Sequence, residues 1–264
     1  METVSLASII GMCFTLLISF GLPIGLLLYA MNKLKAKMIS FWIGAATFVV
    51  FALVLEQLLH IGMINQFGEA LTGNILIKAI YGGLAAGIFE EVGRFISMKL
   101  FMKRLLNKEN AFMYGVGHGG IEAMIIVGLT TVSNLISAYM INTGLMEKSL
   151  ELFDSDIKQQ TIDQLSLLWT TSPVDFYMAG VERVVAITLH LSLSYIVYRA
   201  VKDGKIQLLF LSIALHAFAD FVTVLVAGYA PIIVVEIILI VIVSIIAVFV
   251  YKRFSAEQTI AVGE

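Results

Sequence analysis

Apolar runs of about 20 residues recur along this chain, and that is the length of helix needed to cross ~30 Å of hydrocarbon. Seven such runs can be marked: Val4–Ala30, Ile39–Ile61, Ile75–Leu100, Phe112–Met140, Val174–Tyr198, Ile206–Ala227 and Pro231–Tyr251. A backbone in lipid must satisfy its own hydrogen bonds, so open-chain spans are helices. The short alternating segments of a membrane barrel do not occur. The fold class expected is therefore all-α: a polytopic transmembrane bundle of about seven spans, one integral domain over residues 1–264, in the cell membrane. Hydrophobic residues make up 59% of the 264, more than a soluble domain with a polar exterior requires. A formal net charge of −2 gives no basis for a nucleic-acid partner, and lipid is the expected solvent. The single cysteine, Cys13, excludes an intramolecular disulfide and any site of several thiolates. The first apolar run has no basic region before it and outlasts a cleavable signal, so it is expected to be retained as a span.

Loop charges suggest an orientation. Lys33, Lys35 and Lys37 follow the first run, and Lys99, Lys103, Arg104 and Lys108 follow the third. Arg199, Lys202 and Lys205 follow the fifth, and Lys252 and Arg253 the seventh. The alternate loops are poor in positive charge. The positive-inside rule then places the N-terminus outside and the C-terminus in the cytoplasm. The extracytoplasmic loop of about 141–173 is acidic, with Glu147, Glu151, Asp154, Asp156 and Asp163. Its apolar residues leave two readings, an amphipathic surface helix or a solvated connector.

Ionisable side chains inside the runs are the informative anomaly. Each costs ~2.5–3.5 kcal/mol at a helix centre on the insertion scale. Glu90, Glu91, Arg94, Glu122, Glu182, Arg183 and Asp220 would together cost roughly 20 kcal/mol facing lipid unpaired, so they are expected to face one another or a wet cavity. Glu90 and Glu91 lie four and three residues before Arg94, on one helix face. His118 and Glu122 are four apart, as are His216 and Asp220; in each pair the acid can orient the imidazole, or both can face one centre. At ~1.5 Å per residue, Glu90, His118, His190 and His216 all fall about 13–17 Å inward from basic loop residues. Four helices thus bring titratable groups to one level. His190 has no assigned role at this stage, Glu182 and Arg183 are expected to pair, and Glu56 and His60 are expected to lie away from the layer. The glycines near the cluster (Gly82, Gly83, Gly87, Gly115, Gly117, Gly119 and Gly120) fit close helix packing or a small-residue substrate path.

Three segments carry a resemblance: Glu90-Glu91-Val92-Gly93-Arg94-Phe95, Gly117-His118-Gly119-Gly120-Ile121-Glu122, and His216-Ala217-Phe218-Ala219-Asp220. They resemble the motifs of the YhfC family of membrane peptidases, which is similar to the wider CAAX-processing and bacteriocin-processing (Abi) proteases. The resemblance covers a core of about residues 75–227. It implies that Glu90 or Glu91 activates water as general base, that Arg94 holds the pair, and that His118 positions the water. His216 with Asp220 would stabilise the oxyanion or bind a metal. The wider group has Asn where Asp220 stands, and an ionised Asp cannot donate a hydrogen bond to an oxyanion. If Zn²⁺ is bound, His118, His216, Glu122 and Asp220 are the candidate ligands, leaving room for water. No His-Glu-x-x-His helix occurs, so hydrolysis through glutamate-activated water alone stays open.

The substrate implied is a membrane-associated peptide or protein cut near the cytoplasmic side. Two further classes also bury acids and histidines in a membrane: a proton- or metal-coupled transporter, and a non-enzymatic scaffold like the Aph subunit of gamma-secretase.

Overall fold

The computed structural model describes residues 1–258, and every regular element among them is helical. The long helices are α1 (Leu6–Asn32), α2 (Met38–Phe67), α3 (Ile75–Phe101) and α4 (Lys108–Asn142). Two shorter ones, α5 (Leu145–Leu150) and α6 (Ser155–Thr170), lead to α7 (Pro173–Lys202), α8 (Ile206–Ala227) and α9 (Ile232–Ala256). Gly68, at φ 46°, ends α2, and a single turn, Glu69–Thr72, connects it to α3. The side chain of Asn74 caps α3 by accepting from the backbone of Leu76 and Ile77 at 2.9 and 3.3 Å, which satisfies two orphan donors.

Among the described residues, six helices (α1, α2, α4, α7, α8 and α9) are long and apolar enough to cross a membrane. Helix α3 is 27 residues long but carries Lys78, Glu90, Glu91, Arg94 and Lys99. The acidic loop, left open between helix and connector, is largely helical and holds α5 and α6.

The chain divides into two compact units. One comprises Met1–Leu22 and Ala123–Val184; the other comprises Pro23–Glu122 and the chain from Val185 onward. The first has a core around Met12, Ala138, Ile141 and Leu168. There the Glu182 carboxylate pairs with the adjacent Arg183, whose Nε donates at 2.9 Å, as the sequence suggests. The second unit contains Glu56, His60, Glu90, Glu91, Arg94, His118, Glu122, His190, His216 and Asp220. Its larger core includes Met98, Tyr114, Leu193, Val197 and Val243.

Glycine explains how close the helices of this second unit come. Helix α8 runs along α3, and α2 along the first part of α4. A methyl on Gly83 would stand 2.5 Å from the carbonyl oxygen of Ala217, and one on Gly87 2.9 Å from that of Ile213. Gly44 and Gly117 interlock α2 with α4, each facing a backbone carbonyl of the other helix, Tyr114 and Phe41 respectively. Of the two readings of the glycines, packing holds at these positions. Gly82 is different, because a methyl there meets nothing within 4 Å. Gly117→Ala is therefore expected to cost about 1–3 kcal/mol or more, since a backbone carbonyl cannot yield as a side chain can. Gly82→Ala should cost nothing, and melting curves of the two variants in detergent make the comparison.

A polar clamp closes the end of α9. The Glu257 carboxylate accepts from Tyr195 Oη at 2.9 Å, Tyr198 Oη at 2.6 Å and Lys202 Nζ at 2.6 Å. Burial opposes its ionisation, but the bonds from Lys202, Tyr198 and Tyr195 outweigh it and hold the carboxyl below the usual carboxylate range. A lowered acid stabilises the fold above its unfolded pKa, and that contribution is lost as pH falls through the lowered value. Wild type should therefore melt above Glu257→Gln at neutral pH, with the gap closing in acid.

Candidate active site

Glu90 and Glu91 are neighbours on α3 with different surroundings. Glu91 is fully buried, and its carboxylate is saturated. It accepts from His216 Nδ1 at 2.9 Å and from Ser212 Oγ, and it pairs with an Arg94 guanidinium nitrogen at 3.2 Å. Ser212 lies one turn before His216 on α8, so the two donors share a face. Glu90 Oε2 meets His118 Nε2 at 2.9 Å, whereas Oε1 has no hydrogen bond among the described residues.

Arg94 ties the cluster together. It is wholly buried and donates to the backbone oxygen of His190 at 2.8 Å, to Ser194 Oγ at 2.7 Å and to His190 Nδ1 at 3.1 Å. A guanidinium only donates, so His190 Nδ1 must be unprotonated. In a neutral ring the proton is then on His190 Nε2, which lies 2.6 Å from Glu122 Oε2. The three imidazoles lie in series, with centroids 5.0 Å apart for His118 and His190 and 5.3 Å for His190 and His216.

The spacing arguments placed these residues on the right faces but not with their closest partners. His118 bonds Glu90 on α3, and Glu122 Oε2 lies 2.6 Å from His190 Nε2 on α7, so the i,i+4 pair is split between two other helices. His216 bonds Glu91, while Asp220 lies 3.6 Å from His216 Nε2 with its side chain 38% exposed. Arg94 takes Glu91, not Glu90, as its ion partner. The ligand-type atoms that converge are those of Glu90, His190 and His216, all buried and within 4.8 Å of one another. Of the four ligands suggested by sequence, only His216 belongs to that group; His118 and Glu122 stand behind it as partners of Glu90 and His190.

Sequence reasoning left out several participants. His190 had shown itself only by depth. Ser194 and Ser212, each four residues from a site histidine, carried no signal beyond that spacing. Glu56 is also nearer than expected: it is buried and within electrostatic reach of Glu90, His216, Asp220 and Glu122. Its carboxylate lies 3.2 Å from His60 Nε2, and His60 Nδ1 lies 2.7 Å from Tyr81 Oη. Glu56 ends a π-helical stretch of α2, Val49–Glu56, and Glu122 directly precedes another in α4, Ala123–Gly128. Wide turns of this kind are rare and concentrate at functional sites.

A divalent ion suits this cluster on three counts. The donors are two imidazoles and a carboxylate, a set typical of an open Zn²⁺ site. The carboxyls of Glu56, Glu90, Glu91 and Glu122 outnumber the single guanidinium of Arg94, and acid held away from water calls for a compensating cation. Glu91 on His216 Nδ1 leaves the Nε2 lone pair available, the carboxylate–histidine arrangement common behind metal ligands. His190 Nδ1 accepts from Arg94 and Nε2 lies 2.6 Å from Glu122 Oε2, so ligation by either nitrogen requires Arg94 or Glu122 to move.

The fold and cluster together define a class: a multi-pass helical membrane protein with a buried carboxylate–histidine centre of metal-ligand type. The chain belongs to the YhfC intramembrane metalloprotease family, whose model matches residues 18–251. It is similar to the uncharacterized membrane protein YhfC of Bacillus subtilis (strain 168), with 37% identity over 224 residues, 84% of this chain and 86% of the relative. No solved structure matches the chain.

Proposed function

We propose that this protein hydrolyses a peptide bond of a membrane-associated peptide or protein near the cytoplasmic face. In this reading α3 is a seventh span, the N-terminus is outside and the C-terminus cytoplasmic. The observation that carries the reading is the asymmetry of the glutamate pair. Glu91 is committed to three partners, so it orients His216 and balances Arg94. Glu90 bonds His118 through Oε2, keeps Oε1 free of hydrogen bonds among the described residues, and its carboxylate converges with His190 and His216.

Glu90 is thus the carboxylate on which the reaction turns. Its Oε1 accepts a proton from the attacking water and returns it to the leaving amine. His118 holds Glu90 through Oε2 and leaves Oε1 free to accept a proton. Arg94 sets His190 by bonding both its backbone oxygen and its ring. A divalent ion, most suitably Zn²⁺, would be held by Glu90, His190 and His216, and would supply polarisation of the scissile carbonyl and acidification of water. Glu122, 2.6 Å from His190 Nε2, is a positioning carboxylate beside the centre. Asp220, the most exposed of these acids, stands beside His216 Nε2 on the side open to a substrate.

The test is cleavage of a library of quenched-fluorescent peptides, each with one hydrophobic segment, by the protein in proteoliposomes. We expect wild type to cleave a subset and Glu90→Gln to cleave none. Equal cleavage by both would sink the assignment.

A further inference from the structure

A groove among the ends of α7, α8 and α9 has a charged mouth and an apolar body. Arg199 and Asp203, at the end of α7, stand at the mouth with Lys205, which precedes α8, and Arg253, in the last turn of α9. About one turn further along each helix the lining becomes Ile196, Leu208 and Phe249. The same gradient from cation to hydrocarbon is thus repeated on three helices.

The mouth holds surplus positive charge. Asp203 is spent on Arg199, accepting from its Nε at 3.0 Å and its terminal nitrogen at 2.7 Å. Glu257 adds a second acid 3.6 Å from the same guanidinium. Lys205 and Arg253 form no ion pair among the described residues, and Arg253 lies over the Phe249 ring at 5.5 Å. The backbone N–H groups at the start of α8 add to the positive field there. A ligand that matches this groove carries net negative charge at one end and hydrocarbon behind it, aligned with the helices.

We propose that the groove is a binding site for an anionic phospholipid, with its phosphate between Lys205 and Arg253 and an acyl chain along Ile196, Leu208 and Phe249. Phosphate and lipid positive charge also coexist in zwitterionic lipids, but two unpaired cations favour the headgroup with net negative charge. The site shares no residue with the carboxylate–histidine cluster and does not depend on hydrolysis.

The experiment reconstitutes the full chain in vesicles of phosphatidylcholine with a minor share of phosphatidylglycerol. The protein is re-extracted in mild detergent, and native mass spectrometry counts the retained lipids. We expect wild type to retain phosphatidylglycerol enriched roughly tenfold over its share of the vesicle. The Lys205→Gln/Arg253→Gln variant should lose the enrichment, while Lys99→Gln/Lys103→Gln, with the same charge change elsewhere, should keep it. Leu208→Trp, which fills the groove with its charges intact, should also lose it. Retention in the bulk ratio by wild type, persistence of the enrichment in the first variant or in Leu208→Trp, or its equal loss in the control, would overturn the proposal.

Discussion

Glu90→Gln is expected to lower peptide hydrolysis by about 10³-fold or more, the upper part of the range for removing a positioned proton acceptor. The substitution keeps the shape of the side chain. A Gln carbonyl can still accept from His118 Nε2, so packing around the buried position should survive. What disappears is the ability of Oε1 to take a proton, together with one donor of the converging group. Glu91→Gln offers the contrast. It should also lose activity, because His216 is no longer held by a carboxylate, but it should melt earlier as well, since Arg94 loses the acid with which it pairs. Cleavage rates and melting curves for the two variants therefore separate a reacting group from a positioning one. Equal melting losses would contradict the division of labour between the neighbours.

Arg94→Ala is expected to have the largest effect on stability, about 3–5 kcal/mol, the usual loss when one partner of a buried ion pair is removed. The fully buried Glu91 would be left without its guanidinium, and the backbone oxygen of His190 and the hydroxyl of Ser194 would lose a donor. Arg94→Lys should recover little. A single ammonium on a flexible stem does not reproduce a planar fork that reaches Glu91, His190 and Ser194 together. Thermal unfolding in detergent measures both. If Arg94→Lys melted like wild type, the fork geometry would not matter and the account of Arg94 as the tie between α3 and α7 would fail.

Much of this architecture is legible in the sequence because lipid imposes a simple rule. A span must be helical and about 20 residues long, so the apolar runs locate α1, α2, α4, α7, α8 and α9 to within a few residues. The site level is legible for a related reason: a charge in hydrocarbon is costly, and Glu90, His118, His190 and His216 stand out by type and depth. Partners are less legible. Helical spacing shows which residues share a face, not which neighbouring helix that face meets. Hence His118 turned to Glu90 instead of Glu122, and His216 to Glu91 ahead of Asp220. The close approach that makes this happen comes from Gly83, Gly87 and Gly117, whose packing role depends on atoms of other helices. The π-helical turns at Glu56 and beside Glu122 were invisible, because Val49–Glu56 and Ala123–Gly128 are ordinary apolar stretches in composition.

The most direct test of the central claim, that this cluster is a metal centre, is elemental analysis of the purified protein beside a His190→Ala/His216→Ala variant. Both would be prepared without chelator and checked for fold by melting. We expect about one divalent transition-metal ion per chain in wild type, zinc foremost, and its loss from a variant that remains folded. A folded wild type that binds no ion after metal addition would contradict the claim, as would a variant that keeps its ion.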